Sequence, residues 1–101
     1  MVTCHIKYII DPYQVPVFED YGKRWIKLVH RFGGVHHGYF LPSEGANNIA
    51  YALFSFESLT VYENYRKAIL QDTECLEAFK LATDSRCILS YERTFLNPVF
   101  E

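Results

Sequence analysis

The stretch RFGGVHHGYF, residues 31–40, decides how this chain is read. On its N-terminal side, apolar residues recur every three or four positions. Phe18, Tyr21, Trp25, Leu28, Val29 and Phe32 form one stripe, while Glu19, Asp20, Lys23, Arg24, Lys27 and Arg31 take the opposite side. That period is an amphipathic helix facing a core. Pro16 suits its first turn. Glu19 and Asp20 near the start, and His30 and Arg31 near the end, fit the helix dipole. Gly33 then stands where a helix C-terminus wants a residue at positive φ. On the other side, VHHGYFL (35–41) reads as a strand. The glycine pair therefore ends a helix, whereas a phosphate-cradling loop precedes one.

Outward from this corner the pattern continues. VTCHIKYII (2–10) alternates, with Cys4, Ile6, Tyr8 and Ile10 on one face and Thr3, His5, Lys7 and Ile9 on the other. Period two is a strand, and Asp11-Pro12 ends it. After the turn-rich PSEGANN (42–48) comes a third strand, IAYALFSF (49–56). Ser58 caps a second helix carrying Leu59, Tyr62, Tyr65 and Ile69, with a kink or restart at Gln71-Asp72-Thr73 before Leu76 and Phe79. Ile88 to Leu96 is a fourth strand, stopped by Asn97-Pro98. The order β-α-β-β-α-β is a ferredoxin-like unit. The expected class is α+β: a four-stranded antiparallel sheet with two helices on one face, in one domain spanning residues 1–101.

Composition narrows the function. Net charge is −2 and Lys and Arg do not cluster, so no nucleic-acid partner is expected. No stretch is apolar for long enough to span a bilayer. MVTCHIKYIIDP lacks a basic region followed by an apolar run, so no secretory leader is expected. Three cysteines, Cys4, Cys75 and Cys87, form no disulfide framework; reduced thiols in the cytoplasm are the simpler reading.

Half the residues are apolar, and eight Tyr, eight Phe and one Trp are a rich supply for so small a chain. Two helices cover one side of the sheet. The other side does not read as polar: Ile49, Tyr51 and Leu53 oppose Ala50, Ala52, Phe54 and Phe56 in the third strand. An apolar second face predicts a homodimer, sheet against sheet, closing a dimeric α/β barrel. The C-terminal FLNPVF (95–100) has apolar residues left to reach across it. RNA-recognition domains share the topology and carry third-strand aromatics. Here Ile49 and Ala50 stand where a basic residue and a glycine belong, and Leu53 replaces an aromatic.

An ordered set of markers covers nearly the whole chain. These are the tyrosine-bearing first strand, Trp25, Gly33-Gly34, Gly38-Tyr39-Phe40, and Gly45 and Asn48 ahead of LFSFES (53–58). In this the chain resembles the NIPSNAP family of the dimeric α/β-barrel superfamily. It departs from the family's third-strand pattern N-x-x-x-H-L-W-x-Y: Ala52 stands at the histidine, and Phe54 and Phe56 replace the Trp and Tyr. The resemblance implies a homodimer and a pocket between sheet and helices, with no settled reaction.

Several side chains bear chemistry. Adjacent strand residues point to opposite faces, so His36 and His37 do not chelate one metal, and no metal site is expected. One of the two is expected to face the inter-sheet cavity. His5 and His37 are the proton-transfer candidates, since imidazole titrates near neutrality. If Cys4, Ile6 and Tyr8 pack under the helices, His5 and Lys7 look into the barrel cavity. Lys7, Tyr39, Tyr51, Tyr91 and Arg93 are the ligand-binding candidates, their polar tips suiting a small aromatic or apolar molecule. Which parity of the third strand faces the cavity stays open. No G-x-S-x-G, phosphate-loop or dinucleotide motif occurs, and no cofactor is expected. Two readings follow. One is a barrel binding a small apolar molecule, a cofactor-independent monooxygenase- or isomerase-like enzyme if it is an enzyme at all. The other is a non-enzymatic scaffold or interaction module whose functional unit is the dimer.

Overall fold

A computed structural model describes residues 1–100. The elements are β1 (Val2–Ile10), α1 (Val15–Arg31), β2 (Val35–Phe40), β3 (Ile49–Phe56), α2 (Leu59–Ala68), α3 (Thr73–Ser85) and β4 (Ile88–Leu96). A 3-10 turn, Ile69–Gln71, joins α2 to α3. The four strands form one antiparallel sheet in the order β2-β3-β1-β4. This is the ferredoxin-like arrangement, its second helical segment split in two.

The split has a local cause. Asp72 is extended, at φ −106 and ψ 126, and its carboxylate accepts the Cys75 N–H at 3.0 Å, so a new helix starts there. Ser58 does the same for α2, accepting the Val61 N–H at 3.2 Å. Arg31, at the end of α1, forks to Asp72 and Glu74 and ties α1 to the start of α3.

The corner at residues 31–40 closes as a paired C-cap. The Gly34 N–H donates to the Val29 carbonyl at 2.9 Å and the Gly33 N–H to the His30 carbonyl at 3.1 Å. Gly33 sits at φ +90, which favours glycine. Gly34 is needed for space: a Cβ there would lie 2.7 Å from Val29 and 2.8 Å from Phe56. One detail of the helix differs from expectation. It begins at Val15, so Glu19 and Asp20 lie beyond its first turn and instead pair with Lys23 and Arg24 at 3.2 and 3.3 Å.

Register assigns the faces. Cys4, Ile6, Tyr8 and Ile10 are buried beneath the helices with Ala50, Ala52, Phe54 and Phe56. Tyr91, Arg93 and Phe95 pair with Tyr8, Ile6 and Cys4 and so share that side. Thr3, His5, Lys7 and Ile9 fall on the open side with Tyr51, Leu53 and Ser55. That open face is mixed, its apolar third-strand residues lying beside polar ones from β1. Val35, Phe40, Tyr51 and Leu96 expose apolar surface, while Thr3 and Ser55 are buried polar residues among them.

Helices do not cover the sheet evenly. All of β4 except Ile88 and Arg93 is exposed. Beyond it the C-terminal segment turns back over the open face. The Phe100 ring lies 5.9 Å from His37 on β2, the far edge, so the segment crosses β1 and β3. Among the described residues, no helix is long and apolar enough to cross a membrane.

Candidate ligand-binding site

Strand β2 breaks its own alternation. Its register against β3 shifts between His36 and Gly38: His36 pairs with Phe54 and Tyr39 with Ala52, both partners on the helix side. The bulge therefore turns His36 and Tyr39 to the same face, three residues apart, with rings stacked at 4.9 Å. His37 goes to the open face. The Gly38 N–H donates to Nδ1 of His36 at 2.9 Å, which fixes that ring.

Above His36 and Tyr39 lies a cavity of about 40 Å³ between sheet and helices. The sheet contributes Ile6, Tyr8, Phe54 and Arg93; α1 contributes Tyr21, Trp25 and Val29; the remaining wall is Tyr65, Arg66, Ile69 and Phe79. Toward β4 it adjoins a wider cavity of about 230 Å³, lined also by Ala82, Thr83, Ile88 and Tyr91. Tyr8, Tyr21, Phe79 and Arg93 belong to both, so the two form an inner and an outer chamber. α1 comes close enough to shape the inner one because residue 22 is glycine: a Cβ there would lie 2.9 Å from the Tyr39 ring.

Three buried nitrogens define the inner chamber chemically. Trp25 Nε1, His36 Nε2 and Arg93 Nε have no hydrogen-bond partner among the described residues. Trp25 is 4% exposed and His36 9%, so neither is satisfied by bulk water. Burial, with His30 and His37 nearby, lowers the His36 pKa to about 4. The ring is neutral at pH 7. Its Nδ1 accepts from Gly38, so its proton sits on Nε2. All three nitrogens are thus N–H donors. Burial likewise holds the phenols of Tyr8, Tyr21, Tyr39 and Tyr65 protonated. No carboxylate lines either chamber, whereas Arg66 and Arg93 do, and neither forms an ion pair among the described residues. The site is rich in donors and positive charge and holds no anionic acceptor among the described residues, while its phenols both donate and accept.

The residues singled out from sequence divide between the two faces. Tyr39, Tyr91 and Arg93 lie on the helix side and line the chambers. His5, Lys7, Tyr51 and His37 lie on the open side. There the His5 ring is 5.4 Å from Tyr51. His37 Nε2 meets Ser55 Oγ at 2.8 Å, and Ser55 Oγ meets Thr3 Oγ1 at 2.7 Å. Neither His5 nor His37 lines either chamber. The inner chamber also holds Trp25 and Tyr21, which fall on the apolar stripe of α1, and His36. The signal for Trp25 was its N–H on an apolar face, a group that wants a partner when buried. Among the described residues no group of three His, Cys, Asp or Glu side chains is placed to hold a metal. Cys4, Cys75 and Cys87 are buried and free; burial raises Cys4 to about 11 and Cys75 to about 12, far from thiolate nucleophiles.

The NIPSNAP family model matches residues 5–100. No curated protein matches the chain by sequence. Among solved structures, the chain is similar to a NIPSNAP family protein of unknown function from Agrobacterium tumefaciens, with TM-score 0.82 and 20% identity over 97% of this chain and 87% of that one. It is also similar to an uncharacterized NIPSNAP domain protein from Burkholderia xenovorans, with TM-score 0.78 and 15% identity over 98% and 95%. A candidate antibiotic biosynthesis monooxygenase from Nitrosomonas europaea shares the fold, with TM-score 0.74 and 6% identity over 99% and 100%.

Proposed function

The chain belongs to the NIPSNAP family, and from that premise we propose that it binds a small, largely apolar or aromatic molecule between sheet and helices, as one half of a homodimeric α/β barrel. The observation that carries the reading is the set of three buried N–H donors, Trp25, His36 and Arg93, on one chamber. Unsatisfied buried donors cost stability, and their concentration on residues around one space favours a ligand that brings acceptors. Tyr39, Tyr91 and Arg93 belong to this site. His5, Lys7, Tyr51 and His37 belong to the face offered to the second copy.

The same inventory limits the chemistry. At neutral pH the Trp25 and Arg93 N–H groups only donate, the phenols stay protonated, and His36 has its acceptor nitrogen engaged by Gly38. The site suits holding and polarising an oxygen, as an oxyanion hole does. It supplies no general base. Binding is therefore the primary role, and a cofactor-independent reaction here rests on electrostatic stabilisation of a developing oxyanion. The three buried thiols support a reducing location, the cytoplasm.

A second reading, the dimer as scaffold, draws on the open face. There Thr3 and His37 both bond the Ser55 hydroxyl, and Lys7 lies opposite Glu92 in the β1–β4 register.

Ligand thermal shift separates the two. Wild type is screened against a broad panel of small aromatic and aliphatic compounds, alongside Thr83→Phe, which places a ring at the rim of the outer chamber. Stabilisation of wild type that Thr83→Phe abolishes supports the binding role. A panel in which nothing stabilises wild type leaves the scaffold reading.

A further inference from the structure

The chambers also constrain what kind of molecule fits. Resting on the binding role proposed above, we infer that the ligand is a small organic acid, its carboxylate in the inner chamber and its apolar or aromatic body in the outer one.

Size sets the orientation. A single water needs roughly 10–15 Å³ of such space. The inner chamber, at about 40 Å³, exceeds that and suits a compact head group rather than a ring. The outer chamber, at about 230 Å³, has room for a ring and offers Phe79, Ala82, Ile88 and Tyr91 as walls. Arg93 stands between them, lining both.

Charge sets the head group. Arg93 is half-buried, carries an unpartnered Nε–H, and lies over the Tyr91 ring at 5.3 Å. No carboxylate side chain lines either chamber to balance it or Arg66. A half-buried guanidinium without a counter-ion favours an anionic acceptor over a neutral one. Trp25 Nε1–H and His36 Nε2–H add neutral donors on the same chamber. A carboxylate brings acceptor lone pairs enough for all three donors and the one charge Arg93 lacks.

The chain has one tryptophan, so the indole N–H resonance of Trp25 reports the inner chamber alone. The test titrates labelled protein with benzoate, phenylacetate and 3-phenylpropionate, each against its primary amide, and follows that resonance. The expected result is that at least one acid moves the indole signal and binds about tenfold or more tightly than its amide. Arg93→Gln, checked for folding by circular dichroism, brings acid and amide to the same affinity, and Arg93→Lys restores part of the difference. Acid and amide binding equally to wild type overturns the carboxylate assignment and leaves the binding role standing. Acids that bind without moving the indole signal overturn the placement of the head group. No binding by any of the six compounds, in a protein that the thermal-shift panel also leaves unchanged, overturns both readings.

Discussion

At His36 the two ring nitrogens meet different surroundings. Nδ1 takes the Gly38 N–H, and Nε2 is buried without a partner among the described residues. Burial is the main reason the ring stays neutral, and it brings a pH dependence with a definite sign. His36 titrates at about 4 in the fold against an ordinary 6.5. Between those values the unfolded chain binds a proton that the folded chain refuses. Stability from His36 is therefore complete above about pH 6.5 and falls as pH drops toward 4. The loss is on the order of 2 kcal/mol. Urea unfolding of wild type and His36→Asn from pH 4 to 7 checks it. The wild-type-minus-variant difference should fall with decreasing pH across that window; a flat difference contradicts the assignment. Sequence reading stopped short at this residue. Alternation separates His36 from His37 without saying which of them faces the inter-sheet cavity, and the bulge that brings Tyr39 to the side of His36 depends on pairing with β3, which no single strand encodes. Trp25, by contrast, was legible as a buried residue, though its unmatched N–H appears only when the neighbouring polar groups are placed.

At the scale of elements, α1 and β2 meet through one missing methyl group. Gly22 lies mid-helix, where glycine costs roughly 1 kcal/mol relative to alanine. By propensity alone Gly22→Ala should stabilise the fold. Its Cβ would lie 2.9 Å from the Tyr39 ring, and that ring is stacked on His36. Overpacking of this kind costs about 1–3 kcal/mol and outweighs the helix gain. Gly22→Ala is predicted to lower the urea midpoint and to move the Tyr39 and His36 ring signals; a raised midpoint would show that α1 has slack. The elements themselves were readable because period and caps act locally. The stripe in α1, the Ser58 cap, the restart near Asp72 and the bounds of β4 all came from residues close in sequence. Which strand face holds the site did not, because β3 is apolar in both parities and register alone distinguishes Tyr51 from Phe54.

For the molecule as a whole, the sheet's two sides differ: the helix side holds the chambers, and the proposed barrel sets the open side against a second copy. Tyr51 is 38% exposed on that open side, opposite Lys7 in the ladder. Sedimentation at micromolar concentration is predicted to find dimers for wild type and single, folded chains for Tyr51→Asp. Folded single chains of wild type contradict the barrel. The binding site itself is tested most directly by a crystal structure of the protein grown with 3-phenylpropionate. The expected arrangement is a carboxylate oxygen within hydrogen-bond distance of at least two of Trp25 Nε1, His36 Nε2 and Arg93 Nε, with the phenyl ring against Ile88 and Tyr91. A ligand bound instead on the open face beside His5 and Tyr51, with only water between Trp25 and His36, would contradict it.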